Sequence, residues 1–172
     1  MLRPDPLNSR IAIIAVFIAM AVILHWIEAF IPRPAPFLRL GLANIFTLCA
    51  LYMFGGLWGL VIVLTRVFVG SLFSGSMFTP SFLLSLSGGI VAALVMWGLP
   101  KTLFSPIGVS VGGATSHITT QVIIASTIIV RHVTLVHLIP VLLVVSVATG
   151  ILNGYCTEII LKILKKEKRG LP

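Results

Sequence analysis

Carboxylates are almost missing from this chain. Asp5, Glu28, Glu158 and Glu167 are the only four in 172 residues, and charged residues of both signs make up 9% of the sequence. A soluble domain carries about 25% charged residues, because a polar skin has to cover its core. With 58% hydrophobic residues and a mean hydropathy of +1.15, no such skin can be made here. The solvent that tolerates this surface is lipid, and no soluble domain is expected. Cysteine is equally scarce. Cys49 and Cys156 stand alone in apolar runs with no neighbouring His or Cys, which excludes a disulfide framework and a cysteine-based metal site. The sequence also lacks a G-x-x-x-x-G-K-[ST] loop for ATP, paired aspartates to hold magnesium on a diphosphate, and any Ser-His-Asp, Cys-His or zinc-ligand arrangement. It offers no basis for an enzyme and implies no cofactor or metal.

What is present is a series of apolar runs. A helix needs about 20 apolar residues to cross the hydrocarbon core. The expected spans are about 11–31, 38–54, 57–73, 82–99, 107–130 and 135–164, a single transmembrane domain of six helices. The first is too long for a signal-peptide core and no small-x-small cleavage site follows it, so it is expected to remain. Pro32, Pro34 and Pro36 impose an extended connection after it, and Gly55-Gly56 divides the second span from the third.

The net charge is +8, and five of the twelve cations crowd one terminal stretch: Lys162, Lys165, Lys166, Lys168 and Arg169. Beside a hydrophobic helix this is a cytoplasmic anchor facing anionic lipid, not a nucleic-acid footprint. Arg3 and Arg10 precede the first span, so both termini favour the cytoplasm and the number of crossings is even. Six crossings put Arg3, Arg10, Lys101 and the five terminal cations inside, and Arg33, Arg39 and Arg131 outside.

Polar groups at membrane depth need a reason. Arg66 cannot be neutralised, so it pairs, snorkels or lines a wet pocket. Its position in the middle of the third span makes a ligand anion a plausible counter-charge. His117 and Gln121 are spaced i, i+4 and share one face of the fifth span with Thr120 and Ser116 beside it. They either line a binding site or hold helices together by hydrogen bonds. Asn44 and Thr47 form an i, i+3 pair early in span two, after Arg39. His25 and Glu28 have the same spacing, but their neighbour Trp26 points to an interfacial anchor. Small residues mark helix contacts: Ala15 and Ala19, extended by Ala12, on span one; Gly108 and Gly112 on span five; Gly150 and Gly154 on span six. Glu158 and Lys162, four apart, read as a structural ion pair.

Leu40-Gly41-Leu42-Ala43-Asn44-Ile45, then Thr65-Arg66, Gly70-Ser71, Ser87-Gly88-Gly89, and Gly113-Ala114 leading to His117 and Gln121, carry a resemblance over nearly the whole chain. The sequence resembles the Gx transporter family, also called heptaprenyl diphosphate synthase component I. That family is similar in size and layout to the S subunits of energy-coupling factor transporters. The resemblance implies an all-α, six-helix membrane bundle in the bacterial cytoplasmic membrane with both termini inside. It implies a small-residue face on the first helix, here Ala15 and Ala19, docking on a transmembrane coupling subunit that works with separate ATPases. It places a small-molecule ligand near the outer side, beneath the connection between helices one and two, where Arg39, Asn44, Arg66, His117 and Gln121 would converge. One position departs from the pattern: the asparagine that commonly follows the histidine of the fifth span is Ile118 here. The alternative reading is a non-catalytic membrane accessory for an isoprenoid or redox-cofactor enzyme.

Overall fold

The computed structural model describes residues 6–28, 30 and 41–170; within these, the side chains of residues 6–8, 133 and 167–170 are not described. The described chain is helical, with no strand among these residues. The helices are α1 (Pro6–Glu28), α2 (Asn44–Phe54), α3 (Gly56–Phe73), α4 (Pro80–Gly98), α5 (Pro106–Ile124) and α6 (Ile139–Gly170). A π-helical stretch, Ala125–Ile129, extends α5, and a 3-10 turn, Val133–Leu138, leads into α6. Pro80 and Pro106 stand in the first turns of α4 and α5, where a missing N–H costs nothing. Ser105 caps α5 by accepting from the Gly108 N–H at 3.3 Å.

Helix boundaries differ from the sequence expectation most at three places, the first being α1, which begins at Pro6 and not near residue 11. The second helix does not begin near Leu38: residues 41–43 are non-helical and α2 starts at Asn44. Its 11 residues extend about 16 Å, roughly half of a hydrocarbon core. The last helix does not stop at the lysines but runs through them to Gly170, since lysine is a good helix former and favours a helix C-terminus. Four segments are long and apolar enough to cross a membrane: Ser9–Glu28, Gly56–Phe73, Pro80–Gly98 and Thr134–Lys166.

The chain packs α1 on α3, α3 on α4, α4 on α5 and α5 on α6. Short α2 is the hub, in contact with each of the other five helices. Its Leu48, Cys49, Ala50 and Leu51 are fully enclosed. Phe17, Ala21, Cys49, Ala50 and Ile62 form one apolar cluster, and Leu48, Leu51, Ala92, Met96 and Val109 form a second.

One end of the bundle gathers the start of α1, the α2–α3 junction, the α4–α5 loop and the end of α6. Arg10 shares a recess there with Met53, Phe54 and Trp58, and Lys165 shares another with Tyr52 and Met53. Lys101 Nζ donates to the Leu51 carbonyl at 2.9 Å. Cations from both ends of the chain and from the middle thus meet at one face, as the charge count requires.

The helix contacts depend on small residues. The buried stripe of α6 is Leu142, Ser146, Gly150, Asn153, Gly154, Thr157 and Leu161, a repeat of three to four residues, while Val144, Ile151, Tyr155 and Ile163 face outward. A Cβ at Gly154 would lie 2.5 Å from Ile107 Cα, and one at Gly150 would lie 2.8 Å from Val111 Cα. Both clashes are with backbone, so α5 and α6 touch main chain to side-chain-free surface. Gly108 does not join a helix pair; its nearest neighbour is Phe104 in its own approach loop. The Glu158–Lys162 ion pair is present at 2.9 Å on a solvent-side face, where such a bond adds little stability.

Replacing Gly154 with Leu forces α5 from α6. Overpacking of this kind costs about 1–3 kcal/mol, and a domain of this size loses about 2–4 °C per kcal/mol. The thermal midpoint of the purified protein is therefore expected to fall by about 2–12 °C, whereas Ile151→Leu on the outward face leaves it unchanged. Equal midpoints for the two variants contradict the close α5–α6 contact.

Candidate functional site

Asn44 and Arg66 stand eleven residues before and eleven residues after Gly55 (55 − 44 and 66 − 55). In a helical hairpin folded at that glycine, equal separations bring two residues to the same depth. The Gly55 backbone, at φ 100°, makes the turn in a region that side chains disfavour. Arg66 Nη2 donates to Asn44 Oδ1 at 2.6 Å, with both residues buried. Ten residues of helix separate each from the cationic end of the bundle, about 15 Å at the helical rise, a distance equal to about half the thickness of a hydrocarbon core.

The start of α2 at this depth leaves non-helical backbone in the interior, which is tolerable only if its polar groups are satisfied. The Leu42 N–H is accepted by a carboxylate oxygen of Glu28. Gly41 O accepts from Asn153 Nδ2 at 3.1 Å and from the Asn44 N–H at 2.9 Å, and Leu42 O accepts from Ile45 N–H at 3.1 Å. Gly41 has φ 75°, and a Cβ there would lie 3.0 Å from Asn44 Nδ2. The Leu40-Gly41-Leu42-Ala43-Asn44-Ile45 stretch therefore has a physical basis in its described residues: it turns the chain into a helix that begins inside the bundle.

The glycine pair of α4 lets the other side chains approach. At Gly89 a Cβ would meet Val63 Cγ1 at 2.8 Å and Arg66 Nη2 at 3.8 Å. At Gly88 it would lie 3.1 Å from His117 Nδ1 and from Gln121 Cγ. Arg66 on α3 and the His117–Gln121 face on α5 thus flank consecutive glycines. Asn44 on α2, Arg66, the glycines and His117 lie nine to eleven residues from the same end of their helices, and Asn153 on α6 stands at the same level through its bond to the Gly41 carbonyl. They form one polar belt crossing five helices. The two apolar clusters fill the bundle between this belt and the cationic end.

Two amide oxygens in the belt are buried without a hydrogen-bond partner: Gln121 Oε1 and Asn153 Oδ1. Their orientation is fixed by their own nitrogens. Gln121 Nε2 faces the Leu84 carbonyl at 3.5 Å, and Asn153 Nδ2 faces that of Gly41. Flipping either amide would set oxygen against oxygen. Each oxygen left unsatisfied costs about 1–3 kcal/mol.

Of the residues singled out from sequence, Asn44, Arg66, His117 and Gln121 come together in this belt. Arg39 lies outside the described residues. Ala15 and Ala19 are exposed on α1, with Ala12 beside them, and among the described residues no other helix covers them. Ile118, in the place of the expected asparagine, turns from the belt and packs with Val122 and Leu142.

The anchor reading of His25 and Glu28 is corrected. Both are buried, at 2% and 3% exposure, while Trp26 between them is 42% exposed. His25 lies against Gly70, where a Cβ would come within 2.5 Å of its Cδ2. Their i, i+3 spacing, the criterion applied to Asn44 and Thr47, already put them on a different face from Trp26. Asn153 and Thr157 were missed as well. Thr157 Oγ1 donates to the Ile45 carbonyl at 3.4 Å, and the signal was again an i, i+4 polar pair in an apolar run.

Residues 17–160 match the family described as heptaprenyl diphosphate synthase component I. The fold is similar to a solved structure described as "Structure and mechanism of the S component of a bacterial ECF transporter", with a TM-score of 0.56 and 20% identity over 94% of this chain and 96% of that one. At that identity the likeness is one of fold. No curated protein matches the sequence significantly. The apolar helices and this fold make the chain a multi-pass membrane protein.

A hydrogen bond to a charged group is worth about 1.5–3 kcal/mol. A double-mutant cycle of Asn44→Ala and Arg66→Gln, read by thermal or denaturant stability, is expected to give a coupling of about that size. Strictly additive effects would contradict the buried pair.

Proposed function

The chain belongs to the heptaprenyl diphosphate synthase component I family, and we propose that it serves as a membrane substrate-binding subunit for uptake of a small anionic molecule. The observation that carries this reading is the buried Arg66 inside a belt whose Gln121 and Asn153 oxygens still lack donors. Arg66 attracts the anionic group, Asn44 holds the guanidinium in place, and His117 and Gln121 contribute hydrogen bonds. The two amide oxygens ask for N–H or O–H groups on the ligand. A carboxylate or phosphate ester that also bears such donors meets both demands; a fully ionised prenyl diphosphate meets only the first. A site built around hydrogen bonds rejects analogues lacking them by large factors.

In this reading all six helices belong to one transmembrane domain of the bacterial cytoplasmic membrane, with both termini inside where the cations gather. The ligand enters from the opposite end of the bundle, the end at which α1 reaches Glu28. The chain itself carries out no catalysis. Energy comes from ATPases through a transmembrane coupling subunit, and exposed Ala15 and Ala19 give that subunit a flat face to meet. The likeness to an ECF transporter S component supports this assignment of roles. The family's description favours the second reading, an accessory to an isoprenoid enzyme.

Native mass spectrometry of the protein released from its own membranes tests the proposal. A co-purifying anion bearing N–H or O–H donors is expected, and Arg66→Gln is expected to weaken its binding at least tenfold. A protein released without such a ligand and joined to a soluble prenyl-transferring enzyme would favour the accessory role. Unchanged affinity in Arg66→Gln would remove Arg66 from the site.

A further inference from the structure

At the cationic end, α1 and α6 meet chiefly through α2, which packs on both. Two recesses open there on either side of Met53. One, of about 240 Å³, is bounded by Tyr52, Leu161, Leu164 and Lys165. The other, of about 220 Å³, is bounded by Arg10, Ile14, Phe54 and Trp58. Arg10 and Lys165 are both exposed, and neither has a carboxylate partner among the described residues. The carboxylate described at this end, Glu158, is already paired with Lys162. Lys101 Nζ sits 5.2 Å from the centre of the Tyr52 ring, while the Tyr52 hydroxyl is buried with no hydrogen-bond partner. Among the described residues this seam therefore offers two cations at its rims without a carboxylate partner, a third behind its aromatic wall, and one hydroxyl without a hydrogen-bond partner.

We infer that the α1–α6 seam binds the headgroup of one anionic phospholipid, with an acyl chain lying against the apolar walls. The charge fits a phosphodiester, whose oxygens accept from Arg10, Lys165 and the Tyr52 hydroxyl. The apolar walls favour a lipid over a free phosphate, because Ile14, Phe54, Leu161 and Leu164 give an ion nothing to bind. Tyr52 and Trp58 are of the type that settles at headgroup level. The cations of the last turns would act here as part of a defined site, in addition to the diffuse attraction of a basic tail to an anionic surface.

Lys165 and Lys166 provide a matched test, because they are adjacent in sequence and only Lys165 borders the seam. The full-length protein is titrated with phosphatidylglycerol and with phosphatidylcholine of identical chains, and bound lipid is counted by native mass spectrometry. One phosphatidylglycerol is expected to bind at least fivefold more tightly than phosphatidylcholine. Lys165→Gln or Arg10→Gln should remove most of that preference, Tyr52→Phe should reduce it, and Lys166→Gln should leave it intact. Thermal midpoints in phosphatidylcholine alone report whether each variant is folded. Equal losses in Lys165→Gln and Lys166→Gln would reduce the effect to general tail charge and overturn the site. So would equal binding of the two lipids, or displacement of phosphatidylglycerol by millimolar inorganic phosphate.

Discussion

A guanidinium that cannot lose its proton, buried inside a bundle of apolar helices, is the constraint to which the rest of this structure answers. Arg66 is 2% exposed, so its charge has to be met from inside. Asn44 meets part of it directly, and can do so only because α2 begins at that depth instead of at the membrane surface. The late start of α2 in turn obliges Glu28, Asn153 and a positive-φ Gly41 to satisfy the entering backbone. Gly88 and Gly89 have no side chains because Arg66, Val63, His117 and Gln121 fill that space. One buried charge thus explains a helix boundary, a turn, a glycine pair and a set of polar residues on five helices.

The bundle is arranged opposite to a soluble protein. Lipid gives no hydrophobic reward for bringing two apolar helices together, so association relies on close packing and hydrogen bonds. Glycine and small or polar side chains face inward along α6, and branched aliphatic residues face outward. The buried apolar clusters around α2 occupy the half of the bundle near the cationic end, and the polar belt begins above them. A molecule held at the belt would be closed off from that end by a packed core. Under the proposed function, this arrangement suits capture from the opposite side.

Much of this was legible from sequence, and the failures are specific. The scarcity of carboxylates and the placement of cations indicated a membrane bundle with both ends on one face. Asn44, Arg66, His117 and Gln121 stood out as polar groups in apolar runs, and the helical spacing of the last two put them on one face. The equal distances of Asn44 and Arg66 from Gly55 were available too, and would have paired them. The start of α2 was not legible, because the apolar run continues back from Asn44 through Ala43 and Leu42, and what sets the boundary there is the bonding of Gly41 and Leu42 to distant side chains. His25 and Glu28 were misread because an adjacent tryptophan was given more weight than the 100° rotation that separates neighbours on a helix. Asn153 escaped because its partner is a backbone carbonyl 112 residues away, a relation that no local pattern encodes.

The account rests on the belt being a ligand site and not merely the means by which five helices hold together. An experimentally determined structure of the protein, isolated gently enough to keep what it binds, tests this most directly. The account predicts a small anion against the Arg66 guanidinium with an N–H or O–H of the same molecule directed at Gln121 Oε1 or Asn153 Oδ1. A belt closed on itself, with Arg66 met only by protein groups and both amide oxygens satisfied by neighbouring side chains, would contradict it.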